Sequence, residues 1–451
     1  MRKPSRLVSI VAMVAVSFLS WTAPAGAQRR EMQLLSDAET EHTIRTMARP
    51  IFQAAGIDAE SVNIVLVNDR TLNAFVAGGQ NIFIHTGLLL QTDAAQLLGV
   101  VAHETGHIAG GHLVRGSDAM ETAFLSSLVG MGIGIIGGIA SRNAGAGMAG
   151  MMLGQHMAER NFLSFSRGQE SSADQAGLSY MERAGVSASG LLTFLDKLGA
   201  EEPLTTDREA AYARTHPLTR ERLDSVRSFV ERSRNTGRAL PADVVEHYQR
   251  IQAKLYAYLE PQGALNRYRA DDQSIVARYG RAYAYFRRGE VMRALPLVDG
   301  LIQQEPKNGF FHELKGDLML QNGRAPDAVA PYRKAIELAP DSAPIRVSLA
   351  HALLEQNNAK VADEAIRNLQ VAAKTQQGQS TFLWRLMAQA YALKGNDGMV
   401  AYASAEEAFA RGDVPVARFQ AERAERLLPA GSPGWLRAQD IRGQVDKPRK
   451  P

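Results

Sequence analysis

No cysteine occurs among the 451 residues, so no disulfide can staple the fold, no thiol can act as a nucleophile and no lipidated cysteine can anchor an exported chain. Stability must come from buried core, and the length is enough for two or three domains with a core each. An excess of either charge is also missing, since 51 Lys and Arg stand against 47 Asp and Glu. Aromatic residues make up only 7%, and there is no extended basic run. These shortages leave nucleic acid with nothing to recommend it as a partner. Even the formal charge of +4 falls to +1 when residues 1–27 are set aside, because they hold three basic residues (Arg2, Lys3, Arg6) and no acidic one.

Those three bases precede an apolar run from Leu7 to Trp21, and Ala25-Gly26-Ala27 then satisfies the small-residue rule for signal-peptide cleavage. Residues 1–27 are expected to be removed on export, so that the mature chain starts at Gln28 and works outside the cytoplasm. Ser36-Asp37-Ala38-Glu39 has the form of a capping box and predicts a helix to about Ala55, which Gly56 ends. Short strands are predicted at Val62 to Val67 and, flanking a Gly78-Gly79 turn, at Asn73 to Ala77 and Asn81 to His85. An edge strand of that sheet can offer its backbone groups to an extended peptide.

Just beyond lies His103-Glu104-Thr105-Gly106-His107. Residues four apart share one face of a helix, so both imidazoles can turn toward a single ion. In the H-E-x-x-H pattern the histidines bind zinc and the glutamate is the general base of a metalloprotease. Thr92 and Asp93 supply capping oxygens upstream, and Leu97, Leu98, Val100 and Val101 continue the helix without a breaker. Zinc needs a third protein ligand. His112 is the nearest candidate, but the metzincin spacing would require a histidine at Leu113. On a continuing helix His112 also points away from His107, and it is read as structural. The stronger candidate is Glu170, within Ser166-Arg167-Gly168-Gln169-Glu170-Ser171-Ser172-Ala173-Asp174. Glu170 and Asp174 share a helical face, so one carboxylate can complete the metal shell while the other accepts the N–H of a ligating histidine.

Between the two ligand-bearing segments, Thr122 to Ser141 is uncharged and Gly145 to Gly154 is rich in glycine and methionine. A single membrane crossing would put His107 and Glu170 on opposite sides, and the glycines lower helix propensity. Residues 122–154 are therefore expected to form a hydrophobic hairpin near the active site, in peripheral contact with lipid or an apolar substrate. After Arg238-Ala239-Leu240-Pro241 the strand signals stop. Gly289, Gly323 and Asn357 recur every 34 residues, as do Ala294 and Ala328, and Pro306 and Pro340. That is the tetratricopeptide period. Four to five repeats are expected between Ile275 and Pro429, joined by a helix at Val244 to Tyr268, and such arrays present a concave face to peptides or partners.

H-E-T-G-H, the downstream S-R-x-x-E-x-x-A-D and Thr215-His216-Pro217 together resemble the gluzincin metallopeptidases, which include the CAAX prenyl proteases and the HtpX heat-shock protease. With a signal peptide and C-terminal repeats, nearly the whole mature chain is similar to the periplasmic beta-barrel assembly-enhancing type within that group. The resemblance implies one Zn2+ per chain held by His103, His107 and Glu170, Glu104 as the catalytic residue and Asp174 as support behind a ligand. It implies His216 as a switch over the open metal position or as a catalytic auxiliary, and Arg222 as a basic residue supporting the site from behind the ligands. It further implies a periplasmic location, unfolded or misassembled outer-membrane proteins as substrates, and the beta-barrel assembly machinery as partner of the repeats.

The expected architecture is α+β: a mainly helical zinc metallopeptidase domain with a small sheet (28–235), then an all-α TPR solenoid with its joining helix (241–438) and a disordered tail (439–451). The expected function is a zinc endopeptidase for envelope quality control, latent while His216 covers the metal. Two readings from other classes stay open. One is a chaperone or scaffold whose repeats dominate and whose proteolysis is secondary. The other is a non-hydrolytic iron protein, since two histidines and a carboxylate can hold iron and Glu104 with His107 also fits the E-x-x-H of di-iron bundles.

Overall fold

The computed structural model describes residues 33–77, 79–112, 167–201, 212, 215–375 and 380–446. The segments read as a signal peptide and as an apolar hairpin at 122–154 lie outside the described residues. Order reaches further at the other end than expected: the helix Pro433–Val445 runs through most of the stretch read as a disordered tail from 439, and Ser432 caps it.

The first half is a four-stranded sheet packed against helices. β1 (Leu34–Leu35), β2 (Asn63–Val67), β3 (Ala74–Ala77) and β4 (Asn81–His85) lie in the order β1-β2-β4-β3. β3 and β4 form the expected antiparallel hairpin, with Ala74 opposite Ile84. β2 pairs with β4 in parallel, so the chain steps over β4 to lay β3 at the sheet edge. Burial alternates along the strands, and Ile64, Leu66, Val76, Ile82 and Ile84 turn into one core. Ile44, Ile51 and Phe52 of α1 (Ala38–Ala54) close that core, together with Leu97 and Val101 of α3 (Ala94–Ala109). The short α2 (Thr86–Gln91) leads into α3, whose start is a complete capping box of Asp93 with Gln96.

The cap of α1 differs from the one expected. Asp37, not Ser36, is the N-cap residue, and its backbone N–H donates to the Glu41 carboxylate at 3.0 Å. Glu39 is thereby free to face the second half of the molecule, where Tyr279 donates to it and Lys254 Nζ lies 3.3 Å away.

Helix 167–184 crosses α3 at backbone distance. A Cβ on Gly106 would lie 2.4 Å from the Ala173 carbonyl oxygen, and one on Gly177 would lie 2.8 Å from the carbonyl of Ala102. Two glycines, one on each helix, thus bring the helix carrying Glu170 and Asp174 against the helix carrying His103 and His107.

The second half is all helix. The joining segment breaks at Glu260 into Ala242–Leu259 and Pro261–Arg267. Among the described residues, five antiparallel helix pairs follow, from Ile275–Arg287 with Val291–Gln304 to Val414–Leu427 with Pro433–Val445. Pairs beginning at Ile275, Gly309 and Ala343 keep the expected period. Their inter-helix turns use a left-handed residue, at Gly289, Gly323 and Asn357, and Asn357 adopts φ +47°. The joining helix docks on the first half: Tyr248 donates to the Leu89 carbonyl at 3.0 Å, and Gln252 donates to the carbonyls of Leu89 and Thr92.

Gly177→Ala tests the close crossing. The added methyl meets the peptide group between Ala102 and His103, so the helices must separate, destabilising the fold by about 1–3 kcal/mol and pulling Glu170 from the histidines. Thermal unfolding of the metal-free protein and a zinc titration are both expected to show the loss. A variant that melts and binds as the wild type does would mean the approach is not needed.

Candidate metal centre

The site grows out of the crossing. His103 and His107 come from consecutive turns of α3, Glu170 from helix 167–184, and His216 from the turn just before the helix Arg220–Arg232. The Nε2 atoms of the two α3 histidines are 3.1 Å apart, and each lies 3.2 Å from one oxygen of Glu170. A tetrahedral ion with zinc-to-nitrogen bonds of about 2.0–2.1 Å has ligand-to-ligand edges of about 3.3 Å, so these three atoms already describe one face of such a shell. His216 Nδ1 stands over that face, 3.2 Å from both Glu170 oxygens and 3.2 Å from His103 Nε2. One ligand atom from each of the four residues lies within 4.8 Å of every other. All four side chains are buried or nearly so.

Glu104 supplies the second test of fit. Its side chain is fully buried, and among the described residues neither carboxylate oxygen has a hydrogen-bonding partner. His216 Nε2 comes within 3.4 Å of Oε1 without the alignment of a hydrogen bond, and lies closer, at 3.1 Å, to the carbonyl oxygen of Ala74. A buried carboxylate with no donor is expensive in a structural role. It suits a group that waits for a water proton beside a metal. The residues present therefore fit a divalent ion.

Behind the ligands is a second set of fixed groups. His103 donates from Nδ1 to Asp174 at 2.8 Å, which fixes its tautomer with Nε2 toward the site. Arg222 grips Asp174 through Nε and a terminal nitrogen at 2.6 and 2.9 Å, reaches Glu170 at 2.9 Å, and donates to the Pro217 carbonyl at 2.9 Å. One guanidinium thus ties both carboxylates to the His216 turn. Thr219 starts the helix that presents it, accepting from the Arg222 backbone N–H.

The charges are strongly coupled. Burial works against a charged His103, but hydrogen bonds to Asp174 and Glu170 outweigh it and push its pKa up to about 10. Burial would raise Glu170, yet the three imidazoles hold its carboxyl far below the usual carboxylate range. Asp174 is held low against burial by His103 and Arg222, while burial pulls His107 down.

His103, Glu104, His107, Glu170, Asp174, His216 and Arg222 are all brought into one cluster. His112 does not behave as its sequence position suggested. The helix stops at Ala109, so His112 does not project away, and its Nδ1 lies 3.0 Å from Nδ1 of His107. Sequence reasoning missed Tyr212 and the contacts of Asn73 and Ala74 with the His216 turn. Tyr212 stacks on His216 with ring centroids 4.6 Å apart, and Thr215 donates to the Asn73 side chain at 3.1 Å. The spacing of Tyr212 one helical turn before His216 was the available signal, but one aromatic among the apolar positions of a chain does not stand out.

Residues 36–230 match the model of peptidase family M48. The chain is 26% identical to the beta-barrel assembly-enhancing protease of Yersinia pestis, over 81% of this chain and 75% of that protein. It is 25% identical to the Escherichia coli K12 protein of the same name, over 84% of this chain and 77% of that one. Similarity to the E. coli metalloprotease LoiP, at 25%, spans 43% of this chain and 72% of LoiP.

The raised pKa of His103 gives opposite pH slopes for folding and for metal binding. In the metal-free protein the stabilisation is fully present below the ordinary value of 6.5 and is lost as pH rises through about 10. Binding at Nε2 must displace that proton, so zinc affinity is expected to rise about tenfold per pH unit between roughly pH 7 and 10. Chelator-competition titrations, with proton release measured by calorimetry in two buffers, check this. An affinity that does not change with pH would contradict it.

Proposed function

We propose, from the match of residues 36–230 to the model of peptidase family M48, that this chain is a latent zinc endopeptidase of the periplasm that removes misassembled outer-membrane proteins. The observation that carries the reading is the face formed by His103, His107 and Glu170, with His216 Nδ1 standing over it at contact distance. The substrate class rests on the relatives named beta-barrel assembly-enhancing proteases, whose similarity covers most of the chain, and the location on the signal-peptide pattern of residues 1–27.

His103, His107 and Glu170 would hold the ion. Zinc bound there would supply a Lewis acid that lowers the pKa of water and polarises a carbonyl. The chain's own groups do the rest. Glu104, beside the ligands and without a hydrogen-bonding partner among the described residues, accepts the proton of the attacking water and passes it to the leaving amine. β3 borders the site as the edge strand, and its backbone offers an extended substrate sequence-tolerant hydrogen bonds. His216 already uses the Ala74 carbonyl of that edge while it faces the metal ligands, so one ring obstructs both the fourth ligand position and the substrate strand. Tyr212 behind the ring and Arg222 on the Pro217 carbonyl hold it there. Opening requires a partner or substrate that binds the displaced form better.

A second reading is favoured by a groove of about 2700 Å³ between the catalytic half and the repeats, lined by Arg45, Phe83, His247, Phe310, Arg346 and Thr381 among others. None of the metal-centre residues lines it. In that reading the repeats bind clients or the assembly machinery, and hydrolysis is secondary.

Glu104→Gln separates the two. It is expected to keep one equivalent of zinc and to lose proteolysis of an unfolded reporter by about 10²-fold or more. Full complementation of an envelope-assembly defect by this variant would favour the scaffold. His216→Ala tests latency: basal cleavage is expected to rise several-fold as the ring is removed. A fall at unchanged zinc content would make His216 a catalytic auxiliary instead of a latch.

A further inference from the structure

α3 ends abruptly two residues after its second metal-facing histidine. Gly110 is its last capped position, and Gly111 then takes φ +61°, a left-handed backbone that glycine adopts without strain. The turn folds His112 back over the end of the helix. Its ring lies so close to Gly110 that a Cβ there would be 2.5 Å from Nε2. The rings of His112 and His107 meet edge to face with centroids 5.1 Å apart, and their Nδ1 atoms are 3.0 Å apart. Gln169, next to Glu170, donates to the His112 carbonyl at 3.3 Å and fastens the turn to the opposite helix. His112 is 8% exposed.

The chemistry of ligation gives that contact a direction. His107 faces His103 and Glu170 with Nε2, so a metal bound there leaves Nδ1 carrying the proton, and a buried ring N–H needs an acceptor. On His103 the acceptor is the carboxylate of Asp174. On His107 the group at hydrogen-bond distance of Nδ1, among the described residues, is the Nδ1 of His112. We propose that His112 is a positioning residue: its Nδ1 lone pair accepts the His107 Nδ1–H, which selects the ligating tautomer and fixes the ring's rotation toward the metal. His112 itself does not join the ligand set. The two ligands are thus held unequally, His103 by a charged acceptor and His107 by a neutral one. The inference rests on the metal reading above, so the zinc content of the wild type is its control.

Three substitutions test it in the full chain. His112→Ala removes the acceptor. Gly110→Ala leaves the acceptor in place but displaces its ring, and the backbone at Gly110, with φ −72° and ψ −10°, is ordinary for alanine. His112→Asn returns an acceptor oxygen close to the position of Nδ1. Zinc affinity is measured by chelator competition, the metal-free melting temperature is measured separately, and the visible spectrum of the Co2+-loaded protein reports ligand geometry. The first two variants are expected to bind zinc about 10–100-fold more weakly and to alter the Co2+ bands, with Gly110→Ala melting as wild type in the metal-free form. His112→Asn is expected to recover most of the affinity. The proposal is overturned if wild type binds one equivalent and both His112→Ala and Gly110→Ala bind equally well. It is also overturned if affinity falls only in step with metal-free melting and Asn is no better than Ala. A wild type that binds no zinc would overturn the metal reading, and this proposal with it.

Discussion

Glu170 sets its two oxygens 3.2 Å from ring nitrogens of His103, His107 and His216, in a place from which solvent is nearly excluded. A carboxylate does not enter such surroundings by side-chain reach alone; its helix must lie against α3 at backbone distance. Gly106 and Gly177 make that approach sterically feasible. Gly106 sits inside the H-E-T-G-H motif, so the motif holds a packing requirement among its chemical ones. Once the helices cross there, Asp174 arrives one turn on to receive His103, and Arg222 is drawn in by two carboxylates it can neutralise together.

The repeats are braced against the same helix from the other side. Tyr248 and Gln252 of the joining helix bond to backbone carbonyls at the α2–α3 junction, and Tyr248 also meets the Thr92 hydroxyl at 3.0 Å. The first turn of α1 contributes Asp37 and Glu39 to a buried Lys254, and Ala38 packs into the core of the repeats. A buried lysine holding acids from a different half of the chain is strongly destabilised if one partner leaves. The halves are therefore coupled by charge as well as by apolar packing, and the end of α3 that is anchored by the joining helix is the end opposite its metal-facing histidines.

What could be read from sequence was local or periodic. The H-E-x-x-H face, the Asp93 cap, the β3–β4 hairpin and the 34-residue recurrence of left-handed turns all follow from spacing along one chain. Glu170 and Asp174 were legible because two carboxylates one turn apart have an obvious use near two histidines. What escaped depended on a chain reversal or a distant partner. His112 was placed on a continuing helix because Gly110-Gly111 gives no sign of which glycine will turn left-handed. Glu39 was assigned to a cap because the acid that needs it least locally is the one Lys254 claims from 215 residues away. The parallel pairing of β2 with β4 likewise arises from the sheet's global closure, not from either strand's own pattern.

Charge balance explains why so polar a cluster is stable at all. Glu104, Glu170 and Asp174 are buried carboxylates, and Arg222 is the one permanent cation among the groups that touch them in the described site. They leave two negative charges in a medium where an unbalanced ion is costly. A proton on His103, favoured up to about pH 10 by Asp174 and Glu170, cancels one of them. A divalent cation cancels both and takes over the nitrogen that the proton held. Proton and metal therefore compete for the same negative potential. The same electrostatics that raise His103 in the metal-free protein are those that make a divalent ion the better occupant once that proton has been displaced.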